Sequence, residues 1–240
     1  IGLLDALEID KAVFIGHDWG GFVAWAMPIL HPDRVLGVGG VCTPYMPFPT
    51  TDLLRQLFPD PEKMYMLWFQ EPGVAEGRLN EQVDLVFEKL FVGGTDPAIL
   101  MERAMKRAEE TGEGPDLNPF ANLADLESIG APLLSGAELQ TYVDTFSTTG
   151  FAGGVNWYRN IDANAAKYPG VGNDVVTHPA LMLCAEWDPV LSPAMAAGMP
   201  ALCSDLEMHT IEQAGHFVQI EKPEAVSSLI GDWMQRRFPV

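Results

Sequence analysis

The sequence predicts an α/β fold: a mostly parallel sheet interrupted by a helical insertion. Three observations carry this. First, the apolar and β-branched runs Ala12–Gly16 and Val35–Val41 flank a helical pattern from Gly21 to Leu30, the spacing of a parallel strand-helix-strand unit. Second, prolines cluster at 44, 47 and 49, and helical patterns then dominate to about Tyr168 with no strand among them. Third, strand character returns at Ala180–Ala185 and Leu206–Ile211, and an amphipathic helix from Pro223 to Phe238 closes the chain.

Each element has a local cause. Ala12–Gly16 and Val35–Val41 are apolar on both sides, as strands covered on both faces must be. The first helix is expected to stop near Pro32. Inside the insertion, helices are expected over Asn80 to Val92, Pro97 to Glu110 and Ser135 to Ser147. Met195 to Met199 reads as a short helix ending near Pro200. The expected division is residues 1–44 as the first part of the α/β core, 45–170 as the helical lid and 171–240 as the second part of the core. There is no internal repeat and no low-complexity tract.

Composition narrows the function classes. The chain has 240 residues, 48% of them apolar, enough for one sizeable core with an inserted subdomain. Its net charge of −19 repels phosphate backbones and anionic lipid, which argues against nucleic-acid and membrane partners. No apolar run approaches the roughly 18 to 20 residues of a membrane-spanning helix. The three cysteines, Cys42, Cys184 and Cys203, have neither metal-ligand nor disulfide spacing, which fits a reducing, cytoplasmic compartment. Ile1–Asp5 lacks the pattern of a signal peptide, and Leu3, Leu4 and Leu7 read as the end of an amphipathic helix. With about four strands visible, further strands are expected before Ile1. Oligomeric state is left open.

The chemistry is concentrated at three strand ends. Gly16-His17-Asp18-Trp19-Gly20 follows a strand and opens a helix, the pattern of a nucleophile elbow with Asp in place of Ser. The flanking glycines are expected to avoid collisions in the sharp turn, and the helix N-terminus to keep Asp18 ionised. The alternative is that Asp18 is only a helix cap. Gln213-Ala214-Gly215-His216-Phe217 places a His just beyond the last strand, and Glu186-Trp187-Asp188-Pro189 places an acid beyond the one before it. Asp188 lies farther past its strand end than Glu186 and is the preferred partner for His216, although an Asp before Pro is also a common turn former. His17 is expected to point away from Asp18 in this turn and at most to contact residues that hold the site. The order nucleophile, acid, His is that of α/β-hydrolases.

With these residues in view, the sequence resembles the soluble epoxide hydrolase family of that fold. The likeness runs through Gly16-His17-Asp18-Trp19-Gly20-Gly21, Trp68-Phe69-Gln70-Glu71-Pro72-Gly73, Asn156-Trp157-Tyr158-Arg159-Asn160, Asp188 and Gly215-His216-Phe217. It implies that Asp18 forms an alkyl ester with an epoxide and that His216, oriented by Asp188, activates water to hydrolyse it. Tyr158 and Tyr65 are implied as lid phenols that assist ring opening, and the Trp19 backbone N–H as an oxyanion donor. Trp19, Met66 and Phe217 are implied as substrate contacts. The implied substrates are a small apolar epoxide and water, with no metal and no organic cofactor. The family's His-Gly-x-Pro turn, which supplies a second oxyanion donor, is not found before Asp18 and is expected in a preceding segment. Haloalkane dehalogenases share the first motif, so that chemistry stays open here, as do an inactive fragment and a ligand-binding receptor on the same fold.

Overall fold

The computed structural model describes residues 1–112, 114 and 116–239. The chain divides into two compact units, residues 1–47 with 168–240, and residues 48–167.

The first unit opens with α1 (Gly2–Ala6), β1 (Ala12–His17), α2 (Trp19–Leu30) and β2 (Val35–Val41). The second unit contains α3 (Thr51–Leu57), α4 (Tyr65–Trp68), α5 (Val74–Asn80), α6 (Val83–Leu90), α7 (Pro97–Thr111), α8 (Gly136–Thr149), α9 (Ala152–Arg159) and α10 (Ile161–Lys167). The chain then completes the first unit with β3 (Ala180–Ala185), α11 (Met199–Leu202), β4 (Leu206–Ile211), α12 (Val218–Glu221) and α13 (Pro223–Arg237).

The four strands form one sheet in the order β1-β2-β3-β4, every neighbouring pair parallel. Strand period fixes its two cores. On β3, Ala180, Met182 and Cys184 join Trp25, Val38, Tyr45 and Met199 on one face. Leu181, Leu183 and Ala185 join Val41, Ile211, Val226 and Trp233 on the other. Helix α2 covers one side and α13 the other, which is why β3 is buried throughout and its sequence is apolar without alternation. Parallel pairing also brings the carboxyl ends of all four strands to one edge, where ligands bind in such sheets.

The second unit has its own core, built from Phe69, Leu79, Val86, Phe87, Leu123, Phe151 and Val155. No strand occurs among its described residues. Two helix expectations change. The helix expected over Asn80 to Val92 is α6, Val83–Leu90; Asn80 instead closes a separate helix, α5, and its side chain accepts from the Phe151 N–H at 3.1 Å. Pro200 lies in the first turn of α11, where its missing N–H costs nothing, instead of ending a helix; Pro193–Gly198 before it is a 3-10 turn. No helix among the described residues is long and apolar enough to cross a membrane.

Candidate active site

Asp18 joins β1 to α2 with φ 51° and ψ −125°, a strained conformation for a residue with a side chain. The turn is held from three directions. The Asp18 carbonyl accepts from Gly21 N–H at 2.9 Å, from Phe22 N–H at 3.3 Å and from the Thr43 hydroxyl at 2.8 Å. A Cβ at Gly16 would lie 2.0 Å from the Gly20 carbonyl oxygen, so only glycine fits there. The expected steric role of Gly20 is not found: a Cβ there meets nothing within 4 Å, because Gly20 faces outward. Gly21 takes that role, with a Cβ position 2.5 Å from the Thr43 Cβ.

The loops after β2 and β4 carry the same kind of strain at Cys42, φ 61°, and Gln213, φ 51°. Such outliers collect where a structure holds side chains for chemistry.

Asp188 follows β3 and is 2% exposed. Its two oxygens divide the roles that the sequence left as alternatives. Oδ1 accepts from Val190 N–H at 2.8 Å and Leu191 N–H at 2.9 Å, forming the turn. Oδ2 accepts from His216 Nδ1 at 2.9 Å. Glu186 instead accepts from Gln213 N–H at 2.8 Å, tying the β3 and β4 loops together. The other nitrogen of His216, Nε2, lies 3.2 Å from Asp18 Oδ1. Asp18 Oδ2 accepts from the Trp19 N–H at 2.5 Å. The structure therefore brings Asp18, His216 and Asp188 into one chain of hydrogen bonds.

The charges follow from this geometry. At His216, burial opposes protonation, but the two carboxylates prevail and raise the imidazole to about 9. At Asp18, burial opposes ionisation, yet the hydrogen bond and charge of His216 and the Trp19 N–H hold the carboxyl below its usual range. Asp188 is lowered in the same way, against its own burial, by His216 and by the Leu191 and Val190 N–H groups.

His17 contacts the backbone that carries the base, the supporting place the sequence allowed it. Its Nε2 donates to the His216 carbonyl at 2.7 Å, and its ring lies 4.8 Å from the His216 ring. Burial and the charge of His216 lower its pKa. The Cys42 thiol also reaches the His216 carbonyl, at 3.4 Å, and its pKa is raised by burial and by Asp188. His17, Cys42 and His216 have metal-ligand chemistry, with donor atoms within 4.8 Å of one another. Two of the three converge on a shared carbonyl oxygen, which accounts for their proximity.

The remaining expected residues are distributed as follows. Phe217 caps α12 and packs edge-on against His216 at 5.2 Å; the Trp19 ring packs on Phe22 at 5.4 Å. In the second unit, Tyr65 on α4 and Tyr158 on α9 meet edge-on with ring centroids 5.4 Å apart, and both contact Phe69. Met66 lies beside Tyr65, half-buried.

A family profile described as the alpha/beta hydrolase fold matches residues 2–223. Epoxide hydrolase A of Mycobacterium tuberculosis is 34% identical over 239 residues, 98% of this chain and 72% of that protein. The chain belongs to the epoxide hydrolase family of the α/β-hydrolase fold. Bifunctional epoxide hydrolase 2 of Mus musculus is 35% identical over 237 residues, and the chain spans 41% of that longer protein. The crystal structure of epoxide hydrolase A from Mycobacterium thermoresistibile superposes with a TM-score of 0.82 at 33% identity, covering 98% of this chain and 72% of that one.

In this epoxide hydrolase family member, the motifs around the two tyrosines interlock. Arg159 forms a bidentate pair with Glu76, its Nη2 at 2.8 Å from Oε2 and its Nη1 on Oε1. It also donates to the carbonyls of Phe69 at 2.8 Å and Glu71 at 3.0 Å. The hydrogen bonds from Arg159 hold the Glu76 carboxyl at about 2. Glu76 in turn accepts from Gly73 N–H, at the start of α5.

Proposed function

We propose that the whole protein hydrolyses an epoxide to a vicinal diol in two steps through an ester on Asp18. Asp18 Oδ1 attacks a ring carbon and the carbon–oxygen bond breaks. The released oxygen takes a proton from Tyr65 or Tyr158, the phenols bonded to it; ring strain makes so weak an acid sufficient. His216 then removes a proton from water, whose oxygen adds to the ester carbonyl carbon. Trp19 N–H stabilises the oxyanion formed on Oδ2. Collapse expels the alcohol, which carries Oδ1 away and takes the proton held by His216 to complete the diol; Asp18 keeps a water oxygen, and its remaining proton is given up so that the site returns to its resting charges. Asp188 holds the His216 tautomer and stabilises its charged form. The substrate is a small apolar epoxide, with Trp19, Met66 and Phe217 as its proposed contacts, and residues 45–170 are proposed as a lid subdomain.

The observation that carries this reading is the split environment of the Asp18 carboxylate, with Oδ1 3.2 Å from His216 Nε2 and Oδ2 2.5 Å from the Trp19 N–H. One oxygen faces the base and the other already sits on an oxyanion donor. The pairing of two phenols favours an epoxide over a haloalkane, because a halide leaves as a weakly basic anion and needs no proton.

The test is His216→Gln in the full chain, mixed with styrene oxide and examined by intact-mass spectrometry. A stable adduct of the epoxide's mass on the peptide containing Asp18 is expected. A folded variant that binds the epoxide and stays unmodified refutes the assignment. Adducts from 1-haloalkanes but none from epoxides would replace it with the dehalogenase reading.

A further inference from the structure

Gln70 joins the two helices that carry the tyrosines. Its side-chain Nε2 donates to the Met66 carbonyl at 2.7 Å and to the Tyr158 carbonyl at 3.0 Å. Both acceptors lie in the last turns of their helices, where carbonyls are often completed by side chains. Helix α4 is a single turn and has no stability of its own, so its orientation depends on such ties. A second tie at this end is Arg159, which follows Tyr158 directly and holds the Phe69 carbonyl.

The rings repeat the connection. Tyr65 and Tyr158 are 5.4 Å apart, and Phe69, the residue before Gln70, lies 5.6 Å from the first and 4.9 Å from the second. Only a group with two N–H donors on one atom can serve two carbonyls from this position. A carboxylate of the same shape would oppose both.

We propose that Gln70 is a positioning residue that fixes the separation of the Tyr65 and Tyr158 phenols by holding the C-terminal carbonyls of α4 and α9 on one side-chain amide. The inference rests on the epoxide reading above, in which both phenols serve the opening oxygen. Its effect is confined to one half-reaction. Ring opening uses the phenols; ester hydrolysis uses His216, Asp188 and the Trp19 N–H.

The experiment is single-turnover reaction of the full chain with styrene oxide, following formation and decay of the Asp18 ester by rapid quench and intact mass. Wild type is compared with Gln70→Met, which keeps the shape without donors, and Gln70→Glu, which turns the donors into acceptors. Ester formation should slow by about tenfold to a hundredfold, the cost of a misplacement on the order of 1 Å, while ester decay stays within about twofold of wild type. In a Tyr65→Phe, Tyr158→Phe background, Gln70→Met should slow formation no further. This comparison carries the test if Gln70→Glu does not fold. Formation at the wild-type rate in Gln70→Met, or formation and decay slowed by the same factor, overturns the proposal and leaves the epoxide reading intact. Absence of any ester in wild type sinks that reading, and the positioning role with it.

Discussion

Replacing Asp18 by Asn should move the His216 imidazole through the neutral range. In the wild type two carboxylates hold His216 at about 9, one 2.9 Å from Nδ1 and the other 3.2 Å from Nε2. Charges about 4 Å apart at an effective dielectric near 20 interact by about 4 kcal/mol. At about 1.4 kcal/mol for each pH unit, loss of the Asp18 charge lowers His216 by about 3, to near 6. Ester formation also neutralises Asp18 and has the same consequence. On the proposed mechanism His216 would be cationic while Asp18 attacks and neutral when a base is needed, and the proton it releases would restore the tyrosine that protonated the epoxide oxygen. The assay is a histidine-ring NMR titration of wild type and Asp18→Asn, with intact mass verifying that the amide is retained. Stability gives an independent check. The folded value is raised above the unfolded one of about 6.5, so the contribution is complete below that pH and is lost as pH rises through about 9, at most about 3 kcal/mol. Asp18→Asn should flatten that decline. A wild-type His216 titrating at or below 6.5, or one that stays near 9 in Asp18→Asn, refutes the reasoning.

Two further outcomes follow from the site. Gly16→Ala should cost more than about 3 kcal/mol in thermal or urea unfolding, since backbone must move, and Gly21→Ala should also destabilise, while Gly20→Ala should change stability by less than about 0.5 kcal/mol; equal losses at 16 and 20 would contradict the geometry of the elbow. Tyr65→Phe combined with Tyr158→Phe should slow ester formation about a hundredfold, with each single change milder; stopped-flow alkylation at the wild-type rate in the double variant would remove the phenols from the mechanism.

The features legible in the sequence are those with local causes. Strands β2 and β3 could be read because burial on both faces leaves an apolar run with little alternation, as in Ala180–Ala185, whereas β4 is only partly buried and mixes polar residues into its run. The elbow could be read because its turn imposes glycine at Gly16, and Asp188 and His216 because each lies in the loop after a strand. What the sequence did not reveal depends on where distant loops land. His17 meets a carbonyl 199 residues away, and Gln70 one 88 residues away; neither partner leaves a mark on the neighbouring sequence. The exchange of roles between Gly20 and Gly21 has the same origin, since it is Thr43, beyond β2, that fills the space beside Gly21. The later start of α6 was hidden because Asn80, Glu81 and Gln82 carry no strong breaker, and Asn80 instead ends α5 and accepts from the Phe151 N–H.

The central claim, that an Asp18 ester lies on the path to product, is tested most directly by oxygen labelling. Full chain in excess over styrene oxide is allowed a single turnover in water enriched in oxygen-18. An unlabelled diol is expected, because its new oxygen is Asp18 Oδ1, with one heavy oxygen on the peptide containing Asp18. A diol labelled in the first turnover, with an unlabelled Asp18, would mean that water attacks the epoxide directly and would contradict the account.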